Sequence, residues 1–381
     1  MDSILAHVRE RQSELISFLK ELVECESPTD DAAAVNRFVD LFATRVSDIA
    51  HIKTFPGGRY GKHVLCEFQS QVKASASLLA LGHSDTVWPL GALRQMPWRQ
   101  EKGRLWGPGV LDMKSGLAFF VFAMRALRDL DLPIRRKIAL LIVSDEETGS
   151  HSSRALTEEQ ARNREAVFVL EPGTGLEGKL KTSRKGVGVY TLTIQGKPSH
   201  AGVDFAAGAS AIDELAQQIE KIRTFTNLKS GVTVNVGIVS GGTRTNVVAA
   251  RAQAQIDYRV PRLRDYESLR GKFERLAVRD KRCRLELEGE LNRPPMERTQ
   301  GIVRLFRTAK KLATDLGVSL EESSTGGGSD GNFTAGLGIP TLDGLGGVGE
   351  GAHAIHESIL VDRIADRTAL LAKLVQMERS A

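Results

Sequence analysis

SLLALGHSDT, residues 77–86, is the stretch from which the rest of the chain can be read. Leu78, Leu79, Ala80 and Leu81 make an apolar run of buried-strand length, and Gly82 is placed to turn the backbone sharply at its end. His83 and Asp85 follow two residues apart, on the same side of any extended continuation. An imidazole beside a carboxylate at the C-terminal end of a strand suits metal binding, because the carboxylate can fix the ring's tautomer and orientation. The same pair in a loop is also met solvated or capping a helix, so its meaning rests on what surrounds it.

Further apolar runs of strand length lie at 63–68, 138–144 (IALLIVS), 166–170 and 339–342. Helical patterns separate them. One covers the first 24 residues, with Leu15, Ile16, Leu19, Leu22 and Val23 on one face, and a second runs through Leu41. A third starts near Ser115, with Leu117, Val121, Met124 and Leu127 on one face. Residues 88–110, rich in Pro, Gly and Trp, read as irregular. Strands alternating with helices predict a layered α/β domain around a largely parallel sheet, and IALLIVS has the unbroken apolar character of a strand covered on both faces.

From Gly186 the period changes. Tyr190, Leu192 and Ile194 alternate with smaller or polar residues, as do Val232, Val234, Val236 and Ile238, then Ala252, Ala254, Ile256 and Tyr258. This is the period of half-buried antiparallel strands. A helix with Ile212, Leu215, Ile219 and Ile222 on one face follows the first strand. A second helix at 264–277 precedes a last strand at 283–287. The order βαββαβ predicts a ferredoxin-like α+β domain. It occupies 186–294, inserted into an α/β domain made of 1–185 and 295–381.

A chain of 381 residues exceeds one hydrophobic core, which agrees with two domains. No apolar run approaches the roughly 20 residues that cross a bilayer. The N-terminal residues carry charges throughout and lack the apolar centre of a signal peptide. Cys25, Cys66 and Cys283 are too far apart for a zinc motif or a disulfide framework, so a reduced, cytoplasmic protein is expected. The formal net charge is +5. Its basic clusters, 135–137 and 279–284, lack interleaved aromatics and read as solvated surface, so neither nucleic acid nor membrane is an expected partner.

The strand ends carry the chemistry. His83 and Asp85 follow the first run, Asp145, Glu146 and Glu147 follow IALLIVS, and Glu171 closes VFVLE. Asp112 precedes the Ser115 helix, and His353 lies beyond the last strand. Ligand sites of open α/β sheets form outside the carboxyl ends of the strands, where these groups can converge. Carboxylates gathered in one crevice repel one another unless protonated or neutralised by cations. Imidazoles and carboxylates without a thiolate suit Zn²⁺ or a similar divalent ion. Taken alone, 145–147 also reads as charge at a helix N-terminus.

GHSDTVWPLG, GPGVLDMKSG, SDEETGS, VLEPG, GKPSHAG, GGGSDG and GAHAIHES occur in this order along the chain. With these motifs in register the chain resembles the di-zinc peptidase and amidohydrolase family containing glutamate carboxypeptidase, aminoacylase and succinyl-diaminopimelate desuccinylase. The glutamate carboxypeptidases are the most similar in the run from TVWPLG to LWGPG. The resemblance implies two Zn²⁺ ions, with Co²⁺ or Mn²⁺ as substitutes, bridged by Asp112. His83 and Glu171 would complete one site, Glu147 and His353 the other. His356 is a rival to His353, and the family pattern, a ligand four residues before a Glu, selects His353. The resemblance also implies a cis peptide between Asp112 and Met113.

Further roles carried by the resemblance are Asp85 orienting His83, Glu146 as general base and His200 stabilising the oxyanion. Asn246, Arg259, Gly327 and Gly328 would bind substrate, with Arg259 on its terminal carboxylate. Lys179 and Arg293 stand where glutamate carboxypeptidases place cations facing an acidic side chain. Lys181, by contrast, replaces a small hydroxyl residue. The implied activity is hydrolysis of an amide or peptide bond that releases a C-terminal amino acid, with N-acyl amino acid hydrolysis of the aminoacylase type as the alternative. A catalytically inactive ligand-binding relative would lack a metal ligand or the base, and this chain has every one. The inserted domain is implied to act as a lid and to pair two chains into a homodimer.

Overall fold

In the computed structural model, which describes residues 2–68 and 77–377, the 77–86 stretch forms the strand Ser77–His83 inside a six-stranded sheet. The sheet order is Ala50–Pro56, Lys62–Phe68, Lys137–Val143, Ser77–His83, Ala166–Val169, Thr341–Leu342. The last four strands run parallel, and the first two join antiparallel at one edge. The fold is therefore α/β with a mixed, largely parallel sheet. Alternate side chains of the central strands enter two different cores. Leu78, Ala80, Ile138, Leu140 and Ile142 pack on one face, while Leu79, Leu81, Ala139, Leu141 and Val143 pack on the other. That two-sided burial is why these strands read as unbroken apolar runs.

The fold departs from the sequence reading in four places. Gly82 does not turn the chain: it lies within the strand, and a Cβ there would come 2.5 Å from Leu117 Cδ2, so the glycine serves close packing under the Ser115–Asp129 helix. The N-terminal helix is two helices, Ser3–Glu10 and Gln12–Glu24, separated at Arg11. The edge strand Ala50–Pro56 was not foreseen, because its residues are mostly exposed and mixed in polarity, without a period to detect. Part of the irregular 88–110 segment also pairs. Arg99–Glu101 and Arg104–Trp106 join Ser358–Leu360 and Gly349–Glu350 in a small antiparallel sheet.

By its contacts the chain divides into two units, Met1–Ser183 with Arg298–Thr325 and Ser329–Ala381, and Arg184–Glu297 with Gly326–Gly328. In the second unit the strands Gly186–Gln195, Thr233–Gly241, Arg251–Val260 and Arg284–Arg293 form an antiparallel sheet. Their order is Thr233–Gly241, Arg251–Val260, Gly186–Gln195, Arg284–Arg293. With the helices Ala211–Arg223 and Leu263–Glu274 this is the ferredoxin-like arrangement. Its core is aromatic at one end, where Tyr190 lies 5.1 Å from Tyr258 and 4.5 Å from Phe273 between ring centroids.

Candidate active site

The first unit brings its strand ends together. His83 is the last residue of its strand, and Glu171 follows Ala166–Val169 by two residues. Asp112 lies in a non-helical segment entering the helix Ser115–Asp129, with the Asp112–Met113 peptide cis. The helix start approaches the Glu171 loop closely, for a Cβ on Gly116 would lie 2.0 Å from the Leu170 carbonyl oxygen. Glu146 and Glu147 open a short 3₁₀ turn after Lys137–Val143.

Asp112 is the centre of the cluster. Its Oδ1 lies 3.1 Å from His83 Nε2, and its Oδ2 lies 3.3 Å from His353 Nε2. His83 Nε2 is also 3.6 Å from Glu171 Oε1, and His353 Nε2 is 3.2 Å from Glu147 Oε2. Two groups of ligand atoms thus share one carboxylate, each oxygen facing a different imidazole. Among the described residues, His83, Asp112 and Glu147, and likewise His83, Glu146 and Glu171, hold potential ligand atoms within 4.8 Å of one another. Glu146 therefore faces the same space as the ligand set.

Asp85 is buried beneath this cluster. His83 Nδ1 hydrogen-bonds the Asp85 carbonyl at 2.9 Å, while the Asp85 carboxylate stands 3.5 Å away. That carboxylate instead accepts the backbone N–H groups of Glu146 and Glu147, at 3.3 and 3.2 Å, and the Thr29 hydroxyl at 2.8 Å. It anchors the turn that carries both glutamates. Thr29 was missed by the sequence reading, and nothing in its local sequence marks it.

The electrostatics are those of a site built around positive charge. Burial favours neutral His83, but the carboxylates of Asp112, Asp85 and Glu171 beside the ring outweigh it and hold the ring well above its usual range. His353 is pushed up to about 10 by hydrogen bonds with Asp112 and Glu147. Burial alone would raise Asp112, yet the two imidazoles hold it below the usual carboxylate range. Burial pushes Glu147 up. Among the described residues its buried Oε1 has no hydrogen-bond partner, and an unpaired buried carboxylate oxygen is a suitable ligand for a cation. With N and O donors and no thiolate, the set fits Zn²⁺ or a similar divalent ion.

Other predicted residues lie apart from this cluster or in the second unit. Lys179 sits half-buried in a turn paired with Thr174. Lys181 is buried, and its amine donates to the Pro172 carbonyl at 2.8 Å. His356, the rival ligand, is exposed. In the second unit, His200 is exposed and pairs with Val247, while Ala201 N–H donates to the Asn246 carbonyl, so His200 and Asn246 occupy neighbouring loops. Arg259 makes two-pronged contact with Asp257, at 2.8 to 3.2 Å. Arg293 is buried, and a Cβ on Gly328 would come 2.7 Å from its Cδ, so the glycine makes room for that side chain. The carbonyls of Gly327 and Gly328 accept from Arg184.

The family model described as peptidase family M20/M25/M40 matches residues 79–377. Carboxypeptidase G2 of Pseudomonas sp. strain RS-16 is 27% identical over 373 residues, covering 96% of this chain and 89% of the relative. Succinyl-diaminopimelate desuccinylase of Ectopseudomonas mendocina is 31% identical over 299 residues, covering 73% of this chain and 77% of the relative. The crystal structure of aminopeptidase PepT from Bacillus cereus superposes with a TM-score of 0.80 at 24% identity, covering 96% of this chain and 99% of that one. A fold, a shared-carboxylate cluster and a match along most of its length agree: the chain belongs to peptidase family M20/M25/M40, the metal-dependent peptidases and amidohydrolases.

Proposed function

We propose that the protein hydrolyses the amide bond of a peptide or N-acyl amino acid, releasing a C-terminal amino acid, with two divalent ions, zinc by preference. The observation that carries this reading is Asp112, whose two carboxylate oxygens face His83 and His353 separately. His83 and Glu171 would hold one ion, Glu147 and His353 the other, and Asp112 both. When bound, the ions supply Lewis acidity, polarising a carbonyl and lowering the pKa of a water. Glu146, facing the same space, would accept a proton from the attacking water and return it to the leaving nitrogen. Asp85 holds the Glu146–Glu147 turn in place for that work. His200 would donate a hydrogen bond to the developing oxyanion.

Recognition of the released amino acid would fall to Arg259, whose planar guanidinium can grip a terminal carboxylate bidentately, with Asn246 and the backbone at Gly327 and Gly328 beside it. Lys179 and Arg293 would read an acidic side chain. Lys181 favours a second reading: its amine is already engaged by the Pro172 carbonyl, which supports a broader N-acyl amino acid hydrolase. The Thr233–Gly241 strand lies at the sheet edge with Ile238 and Val239 exposed, which supports a homodimer paired through this unit. Light scattering would test that mass directly.

The deciding assay reconstitutes metal-free protein with Zn²⁺ or Co²⁺ and compares N-acyl-Glu, N-acyl-Leu and their α-carboxamides. Activity on the acids and a kcat/KM lower by about 10-fold or more on the amides is expected, since an unpaired charge-assisted hydrogen bond costs roughly 1.5–3 kcal/mol. A preference for N-acyl-Glu selects the glutamate reading, and equal rates on Glu and Leu select the broader one. No hydrolysis of any acid by the loaded protein would refute the proposal.

A further inference from the structure

Glu357 is 1% exposed, and no Lys or Arg side chain makes a hydrogen bond or ion pair with it among the described residues. Four donors converge on its carboxylate. Oε2 accepts Trp88 Nε1 at 2.8 Å and the Gly109 N–H at 3.0 Å. Oε1 accepts the Leu111 N–H at 2.8 Å and the Asp112 N–H at 3.0 Å. Three of the four donors are backbone amides of the one segment that presents Asp112. That segment is not held by a helix of its own, since Asp112 has φ −114° and ψ 96° and Met113 has φ −134° and ψ 33°. The nearby ammonium of Lys114 is used elsewhere, donating to the Cys25 carbonyl at 3.0 Å.

Glu357 is fixed from its own side as well. Its N–H donates to the Ala354 carbonyl at 2.9 Å, closing the loop that begins at His353. The next residue, Ser358, starts the strand that pairs antiparallel with Arg104–Trp106, with Ser358 opposite Trp106. One carboxylate therefore ties the loop bearing His353 to the segment bearing Asp112, whose side chains meet at 3.3 Å. We propose that Glu357 is a positioning residue, which sets the direction of Asp112 against His353 and so controls divalent-ion affinity without being a ligand. This rests on the two-ion reading of the Asp112 cluster.

The chemistry requires a carboxylate. Among the described residues, all four hydrogen bonds to the Glu357 carboxylate come from donors, and an ionised carboxylate accepts at both oxygens with no proton of its own to clash. In Glu357→Gln one end becomes an NH₂ group, which confronts two N–H donors at nearly unchanged volume. Groups that orient metal ligands without touching the metal change affinity by about 10–100-fold when replaced.

The test titrates Zn²⁺ into metal-free wild type, Glu357→Gln and Trp88→Phe by calorimetry with a competing chelator, and records the visible spectrum of each with Co²⁺. Wild type should take two ions per chain. Glu357→Gln should bind at least one of them about 10–100-fold more weakly, with an altered Co²⁺ spectrum. Trp88→Phe, which removes one donor and keeps three, should fall between. A residue that only stabilises the fold would lower the thermal midpoint and leave affinity and spectrum alone, and that result overturns the inference. If Glu357→Gln does not fold, wild-type affinity and spectrum in Trp88→Phe overturn it equally. A wild-type chain that takes up fewer than two ions refutes the two-ion reading, and the inference with it. Two ions in wild type with unchanged variants refutes the inference alone.

Discussion

One glutamate from each unit, Glu214 and Glu147, shows opposite treatments of a hidden carboxylate, and Glu357 of the first unit sides with Glu214. In the second unit, Glu214 accepts the backbone N–H groups of Arg279 and Asp280, at 3.0 to 3.1 Å, and the Gln218 amide at 2.7 Å. Burial presses it towards protonation, yet those donors hold its carboxyl below the ordinary value. In the first unit, Glu147 is nearly as hidden but has one oxygen without a donor and the other on His353. Burial there raises its carboxyl. Burial of a carboxylate is therefore no mark of function by itself. What distinguishes the two is whether the fold supplies the donors or leaves the charge facing other charges, where only a cation completes it.

The largest effect expected of a single change in the first unit is on turnover. Glu146→Gln should keep both ions, since it replaces a group proposed as the base, and lower kcat by about 10²–10⁴-fold. Glu147→Gln, one residue on, should instead reduce metal content, measured by elemental analysis. If Glu146→Gln loses metal and Glu147→Gln keeps it, the roles drawn from this turn are reversed.

Smaller, and confined to stability, is the effect expected in the second unit. Glu214→Gln sets an NH₂ group against backbone N–H donors and should cost about 1–3 kcal/mol in denaturant unfolding, with metal content and kcat unchanged. A loss of metal in that variant would erase the contrast between the two glutamates.

The smallest effect is one of pH. Because the folded value of Glu214 lies below its unfolded value near 4.5, the ionised group contributes stability in full above that value and loses it as pH falls through the folded one. Wild type should therefore lose stability on acidification below about pH 4.5 more steeply than Glu214→Gln. Parallel acid limbs for the two proteins would show that the hydrogen bonds around Glu214 contribute nothing to its ionisation.

Regular patterns made much of this molecule legible in advance. The apolar runs at 78–81 and 138–144 and the alternation from Tyr190 to Tyr258 specify burial by their period alone, so both sheets could be read. Strand-end acids and imidazoles identified the cluster that the structure assembles around Asp112. The edge strand Ala50–Pro56 was illegible because an edge exposed to water needs no hydrophobic period. Gly82 was misread because a glycine required by a neighbouring helix looks, in sequence, like a glycine required by a turn.

What the sequence determined by itself is the set of chemical groups and the order in which strands deliver them, since both follow from local pattern and from motifs carried in register. Tertiary structure decided which groups hold the others in place. Thr29 on Asp85, Asp85 on the Glu146–Glu147 turn and Glu357 on the Asp112 segment are contacts between residues 56 to 248 positions apart. No local period encodes such a contact. It exists because buried N–H, hydroxyl and carboxylate groups must find partners once water is excluded, and only the folded chain brings those partners within reach.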